Sequence, residues 1–322
     1  DSSFIGVPYL IESFLKPYFP GTIVARFAGE IPRHRLRREL AACRIVNQLV
    51  DLMGSIFVFR LTRDFGVEAH QAVRSWVIAD VVLGLRGRAG RLRGKAAELT
   101  ADAELGAFFA LERAARRACA WAFAGCEPDA PIGEIVSRHK PAFEKLAGRF
   151  ETMLSGSERN RFERIYRELR ATVHQEEIAH DLTRLAFANH LLNVLSLSRA
   201  RGIAADTIAA AYFRLGGEID FAVIETALDS INGDQWERRA AQELTIELDE
   251  ARIELCCAAL RQPGADTSAK VHRLIQLRPR EFAAAERVLT ELRTLARIEA
   301  PALQVATRAL TRLAHTSRDL GA

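Results

Sequence analysis

The sequence predicts an all-α protein, a bundle-like array of many helices, and three observations carry that expectation. Apolar residues recur at spacings of three and four along most of the 322 residues, while period-two alternation almost never lasts. Gly, Pro and Asp interrupt that period at "GCEPDAPIG" (125–133), "SGS" (155–157), "RQPGADTS" (261–268) and "IEAP" (298–301). Apolar residues make up 49% of the chain, enough for a well-buried core.

Taken in order, the first long helix starts near Leu36, with Pro32 favourably placed in the turn before it. Its stripe of Leu40, Cys43, Val46, Val50, Met53 and Phe57 is expected to face the core. Gly54 is expected to bend this helix without ending it, and Gly66 to stop it. Further helices are expected at 68–84, 101–124, 156–189, 190–201, 205–228, 234–261, 280–298 and 301–318, with 85–98 left unassigned. The break after 125 divides the chain into helical parts 1–126 and 127–322, packed as one domain or as two closely joined lobes.

One internal similarity stands out at an offset of 136 residues. "LTRDFGVEAHQAVRSWVIADVVLGL" (61–85) and "LSRARGIAADTIAAAYFRLGGEIDF" (197–221) align with Gly66 on Gly202 and Trp76 on Tyr212. Both read as a helix–Gly–helix unit, repeated through duplication or alike because helical hairpins are alike.

Charge argues against a nucleic-acid binder. The formal net charge is +4, with 45 basic residues among 41 acidic ones, so any cationic site must be local. The five cysteines form no CxxC pair, and their odd number suits a reducing cytoplasm better than a disulfide framework. No apolar run reaches a membrane-spanning length. The chain opens on Asp1 rather than Met and is read as a piece of a longer protein.

Three stretches invite chemistry. In "HQEEIAH" (174–180), Glu177 and His180 have the Glu-x-x-His spacing of carboxylate-bridged metal bundles. A matching second helix is missing, so the expectation is an exposed, charge-paired helix surface and no metal site. "GLRGRAGRLRGK" (84–95) resembles a phosphate-binding loop, yet Ala89 stands where the first Gly belongs and Ala96 where a hydroxyl belongs. It is read as an irregular basic loop. The third stretch packs Arg33, His34, Arg35, Arg37 and Arg38 at a helix start, where cations oppose the macrodipole. Arg33, Arg35, Arg37 and Arg38 are therefore candidate interface residues, held by acidic groups of this or another domain.

Several segments together resemble a known family. They are "PYFP" (17–20), "RF" (26–27), "IPRHRLRRELAACRIVNQLVDLMGSIFVFRL" (31–61), "GV" (66–67), "ARGIAADTIAAAYFRLGGEIDF" (200–221) and "DQWERRAAQELTIELDEAR" (234–252). In wording, order and spacing they resemble the C-terminal helical region of the large bacterial NAD-specific glutamate dehydrogenases, most strongly over 17–84 and 190–262. Cys43, Asp51 and Leu52 depart from the family's usual wording, and 84–95 has no counterpart in it.

The resemblance implies a parent oxidoreductase that deaminates L-glutamate to 2-oxoglutarate and ammonia with NAD. It also implies a cytoplasmic homo-oligomer in which this region packs on the catalytic domain of the same chain and on neighbouring subunits. The family's catalytic and dinucleotide-binding motifs lie upstream of the matched region, so no catalytic, cofactor-binding or metal residue carries over, and NAD belongs to the parent rather than to this part. The rival expectation is a nucleic-acid or regulatory-ligand module using 33–38 and 84–95, which requires strongly salt-dependent binding.

Overall fold

A computed structural model describes residues 15–231, 233–295 and 298–318. Among them the regular structure is sixteen α-helices with short 3₁₀ turns and no strand. The chain gathers into two compact units, one of residues up to 144 plus 172–189 and one of residues 145–171 and 190 onward. The break at 125–133 falls inside the first unit, between two of its helices.

In the first unit, α1 (Gly21–Phe27), α2 (Arg37–Met53) and α3 (Phe57–Phe65) lead to α4 (Ala69–Leu83), α5 (Leu85–Gly94), α6 (Ala101–Gly125), α7 (Ile132–Ala147, of which the first unit holds the part to Glu144) and α9 (Glu176–Leu185). The unit is built on α4 against α6. Helix α4 is buried nearly all round, including Trp76, Val77, Ile78, Val82 and Leu83. Small residues on α6, Ala103, Ala107, Ala115, Ala118 and Ala122, are buried and leave room for those larger side chains. A capping box starts α4, with the Glu68 backbone N–H donating to Gln71 Oε1 at 3.0 Å, and Gly84 at φ 62° ends it.

The second unit centres on α13 (Gln235–Arg261), whose most extensive partner is α16 (Ala300–Arg318). Leu244, Leu248, Ala251 and Leu255 of α13 meet the stripe Leu303, Ala306, Leu310, Leu313 and Ala314 in one core. Helices α11 (Ala205–Glu218), α12 (Phe221–Asp229), α14 (Thr267–Leu277) and α15 (Pro279–Thr294) close around it. The unit also takes α8 (Gly156–Thr172) to Ala171 and α10 (Ala188–Arg201) from His190. Asp234 caps α13 by accepting from the Trp236 and Glu237 backbone N–H groups at 2.7 and 3.0 Å.

Several expected boundaries are corrected. Gly54 sits at φ 82° and ends α2, and α3 leaves at 88° to it, so the first long helix is two. The expected helix over 156–189 is interrupted at 173–175 and 186–187, with Val173 and Phe187 fully buried at the breaks. The expected helix over 205–228 breaks at Ile219 and Asp220, which lets both Ile219 and Phe221 enter the core. Helices α1, α7 and α14 were not anticipated. Pro141 lies inside α7, yet Ile132, Ile135 and Phe143 are buried, and that burial offsets one lost backbone hydrogen bond.

Gly66 and Gly202 both have left-handed φ, 65° and 64°, and Trp76 and Tyr212 are both fully buried. The two segments thus share local geometry, and descent from a duplication stays a proposal.

Candidate functional site

The most concentrated chemistry in the molecule is a buried ionic network in the second unit, which no local motif announces. It joins Glu158 and Arg161 of α8, His190 of α10, Tyr212 of α11, Glu225 of α12 and Arg252 of α13. Glu158 and Tyr212 are fully buried, and Arg252, although cationic, is 1% exposed.

Arg252 lies at the centre. Its Nη2 donates to Glu158 Oε1 at 2.6 Å, its Nη1 is 3.4 Å from Glu225 Oε1, and its guanidinium carbon lies 4.0 Å from the centre of the Tyr212 ring. Arg161 Nη1 donates to the other Glu225 oxygen at 2.5 Å. His190 Nε2 lies 3.2 Å from that same oxygen, and His190 Nδ1 lies 3.1 Å from the Tyr212 hydroxyl. His190 Nε2 also lies 3.2 Å from Arg161 Nη1, so the imidazole ring bridges Arg161 and Glu225 on one side and Tyr212 on the other.

Gly216 makes this arrangement possible. A Cβ there would stand 2.2 Å from Arg252 Nη2 and 2.5 Å from Glu158 Oε1, so a side chain and the ion pair cannot share the space.

The electrostatics follow from burial against pairing. Burial alone pushes the Glu225 carboxyl up, but His190, Arg161 and Arg252 together hold it well below the usual carboxylate range. Burial pushes the Tyr212 hydroxyl up, against the pull of Arg252. Burial disfavours the Arg252 cation, yet the groups around it, Tyr212, Glu158 and Glu225 among them, outweigh that and raise it further. Two arginines face two glutamates, so the cluster is charge-balanced. Buried almost throughout, it ties four helices to the core helix. Arg161 reaches the edge of a cleft of about 1350 Å³ that also takes Arg164, Arg167, Asp220, Glu237 and Glu299. With three cations facing three anions, that cleft has no strong preference for either sign of ligand.

Of the sequence candidates, the opening cluster stands at the surface. Arg33, Arg35 and Arg38 are exposed and Arg37 is half-buried, and none of the four has an ion-pair partner among the described residues. Arg38 lines a cleft of about 730 Å³ with Glu39, His70, Arg74 and Phe123. The expected core stripe beside it is also corrected. The buried face of α2 is Ala41, Ile45, Leu49 and Leu52, while Val46 and Val50 are 51% and 41% exposed and Cys43 is exposed too. The sequence holds two apolar stripes on this helix, and spacing alone does not say which is inside.

The glycine–arginine stretch 84–95 is a helix for most of its length, not an irregular loop. Its backbone N–H groups serve the helix, and its arginines are committed within the unit. Arg86 pairs with the buried Asp80 at 2.5 Å and donates to Gln48 at 2.8 Å, and Arg88 and Arg91 both reach Asp181 of α9, at 2.9 and 2.6 Å. Arg93 donates to the Asp51 carbonyl. A phosphate cradle needs those groups free, so the rival reading loses one of its two footholds. Glu177 is exposed on α9, His180 is half-buried, and no cluster of three potential metal ligands exists among the described residues.

Sequence spacing missed the ionic network because its members lie up to 94 residues apart. A signal was present all the same, since the stretch of strongest resemblance, 190–262, contains His190, Tyr212, Gly216, Glu225 and Arg252.

Comparison with known proteins decides the family. The family model for the C-terminal region of glutamate dehydrogenase matches residues 3–312. The chain belongs to that family. Among curated relatives it is similar to the NAD-specific glutamate dehydrogenases of Mycobacterium tuberculosis, at 27% identity over 311 residues, and of Halomonas elongata, at 22% over 312 residues. It is also similar to that of Pseudomonas aeruginosa, at 23% over 303 residues. These alignments cover 96%, 96% and 93% of this chain but 19% of each relative, so this glutamate dehydrogenase C-terminal region spans about a fifth of their length.

Proposed function

We propose that this chain is the helical C-terminal domain of an NAD-specific glutamate dehydrogenase and that its role is support, assembly or control of a catalytic unit carried elsewhere in the polypeptide. The parent reaction is hydride transfer from the glutamate Cα to nicotinamide, giving 2-oxoglutarate, ammonia and NADH in the cytoplasm. The observation that carries the reading is the family match across nearly the whole chain against so small a share of the relatives' length. Two features support a packing role. The second unit buries its strongest charges and pairs them with one another, and in the first Arg33, Arg35, Arg37 and Arg38, which have no ion-pair partner among the described residues, are open to the catalytic domain of the same chain or to a neighbouring subunit of a homo-oligomer.

The test is calorimetric titration of NAD into the 322-residue chain and into the full-length polypeptide, alongside glutamate-dependent NADH formation. The expected result is saturable NAD binding and turnover by the full-length protein and neither by this chain. Saturable NAD binding by this chain would contradict the proposal.

A further inference from the structure

We propose that the exposed, arginine-rimmed apolar face of α2 and α3 is the surface on which the remainder of the glutamate dehydrogenase polypeptide seats, presenting an apolar patch with an acidic rim of its own. The inference rests on the domain reading above and names the surface it uses.

Exposed apolar side chains are unevenly distributed. Of the fourteen large exposed hydrophobics among the described residues, eight fall between Tyr18 and Phe59. On α2, the stripe of Leu36, Cys43, Val46 and Val50 lies roughly 140° around a 3.6-residue turn from the buried stripe. A helix apolar on both sides is stable when both sides are covered. Past the Gly54 turn, Ile56 and Phe59 extend the apolar surface at 52% and 57% exposure. Beside the stripe, the cleft reached by Arg38 offers a socket for an anchoring side chain of the partner. A central apolar area rimmed by arginine and aromatic residues is the composition of protein interfaces.

Charge selects the occupant. Between residues 33 and 63, seven arginines stand against Glu39 and Asp51. Two copies of this face brought together would double that excess whatever their register, so a second copy is disfavoured and an acidic rim is favoured. The apolar centre is wrong for a phosphate backbone. Glu39 lies in the stripe, where it would be repelled by anionic lipid, although α2 and α3 together have the length and apolarity of a bent membrane segment. About four-fifths of each relative's length lies outside the region matched here, and it supplies the partner.

Cys43 is a built-in probe, because it sits in the stripe while Cys119, Cys126, Cys256 and Cys257 are buried. In the full-length protein, maleimide labelling of Cys43 is compared by peptide mass spectrometry with reference thiols from Ser137→Cys and Ser268→Cys, both at exposed positions. The expected result is Cys43 labelling at least tenfold slower than both references, with Val46→Glu raising it to their rate. Labelling of Cys43 at the reference rate would overturn the proposal. So would protection lost on dilution, the mark of a second copy, or protection seen only with phosphatidylserine vesicles or duplex DNA. Glutamate-dependent NADH formation is measured on the same sample. Activity together with fast Cys43 labelling sinks the docking surface alone, whereas no activity removes the domain reading and this proposal with it.

Discussion

At the offset that lays Trp76 on Tyr212, Asp80 of the first unit falls on Gly216 of the second, and the two positions handle buried charge differently. Asp80 carries its own acid into the core and finds a partner six residues on, with its Oδ1 accepting from the Arg86 backbone N–H at 3.0 Å and its Oδ2 2.5 Å from the Arg86 guanidinium. Arg86 is one-third exposed, so water screens its attraction, burial wins, and the Asp80 carboxyl is raised. Gly216 carries no side chain, and the vacated space admits Arg252 and Glu158 from helices far away in sequence. There pairing wins over burial and Glu225 is held low. A local pair thus leaves a buried acid raised, whereas a network of distant residues holds one low and joins five helices. At the surface of the first unit, Arg33, Arg35, Arg37 and Arg38 have no ion-pair partner among the described residues, and Val46, Val50, Ile56 and Phe59 are exposed.

The sharpest way to break this contrast is to remove the centre of the network. Arg252→Met takes from Glu158 its 2.6 Å partner and leaves Glu225 to Arg161 and His190, and loss of one side of a buried pair costs about 3–5 kcal/mol. Urea unfolding of the chain measures it, and a loss below about 1 kcal/mol would mean that the network contributes little. Gly216→Ala is next, with an expected loss of about 1–3 kcal/mol from overpacking against a guanidinium that is itself locked in place.

Acid titration then separates the two acids by sign. Glu225, lowered in the folded state, contributes stability that is complete above its ordinary value of 4.5 and is lost as pH falls through its folded value. Asp80, raised in the folded state, does the reverse. From its ordinary value of 3.8 upward it costs stability as pH rises through its folded value. Urea unfolding between pH 3 and 7 is therefore expected to show a shallower acid loss for Glu225→Gln than for the unaltered chain, and a steeper one for Asp80→Asn. Asp80→Asn keeps an acceptor for the Arg86 N–H and sheds a buried charge, so at pH 7 its net effect is expected within about 1 kcal/mol. Smallest of all is Val46→Glu, at a half-exposed position, expected within about 0.5 kcal/mol in the chain alone.

Fold class and family were readable from the sequence because helical periodicity and segment order are local properties. The capped starts at Glu68 and Asp234 and the stops at Gly66 and Gly202 could be placed for the same reason. What escaped was decided by tertiary packing. Val173 and Ile219 break helices in order to bury apolar side chains, and Pro141 is tolerated because its helix is buried on one side. Cys43, Val46 and Val50 form as good a stripe as Ala41, Ile45 and Leu49, and only the fold shows which of the two is inside. Arg252 and Glu158 meet across 94 residues through a gap left by a glycine, and spacing carries no record of that.

The most direct test of the proposed contrast, a second unit that buries and pairs its charges and a first unit that docks through α2 and α3, is hydrogen exchange, measured by mass spectrometry on the 322-residue chain and on the full-length protein. Peptides spanning 37–59 are expected to gain protection in the full-length protein, while peptides spanning 244–258 exchange equally in both. Equal exchange of 37–59 in the two proteins, with 244–258 also unchanged, would contradict the account.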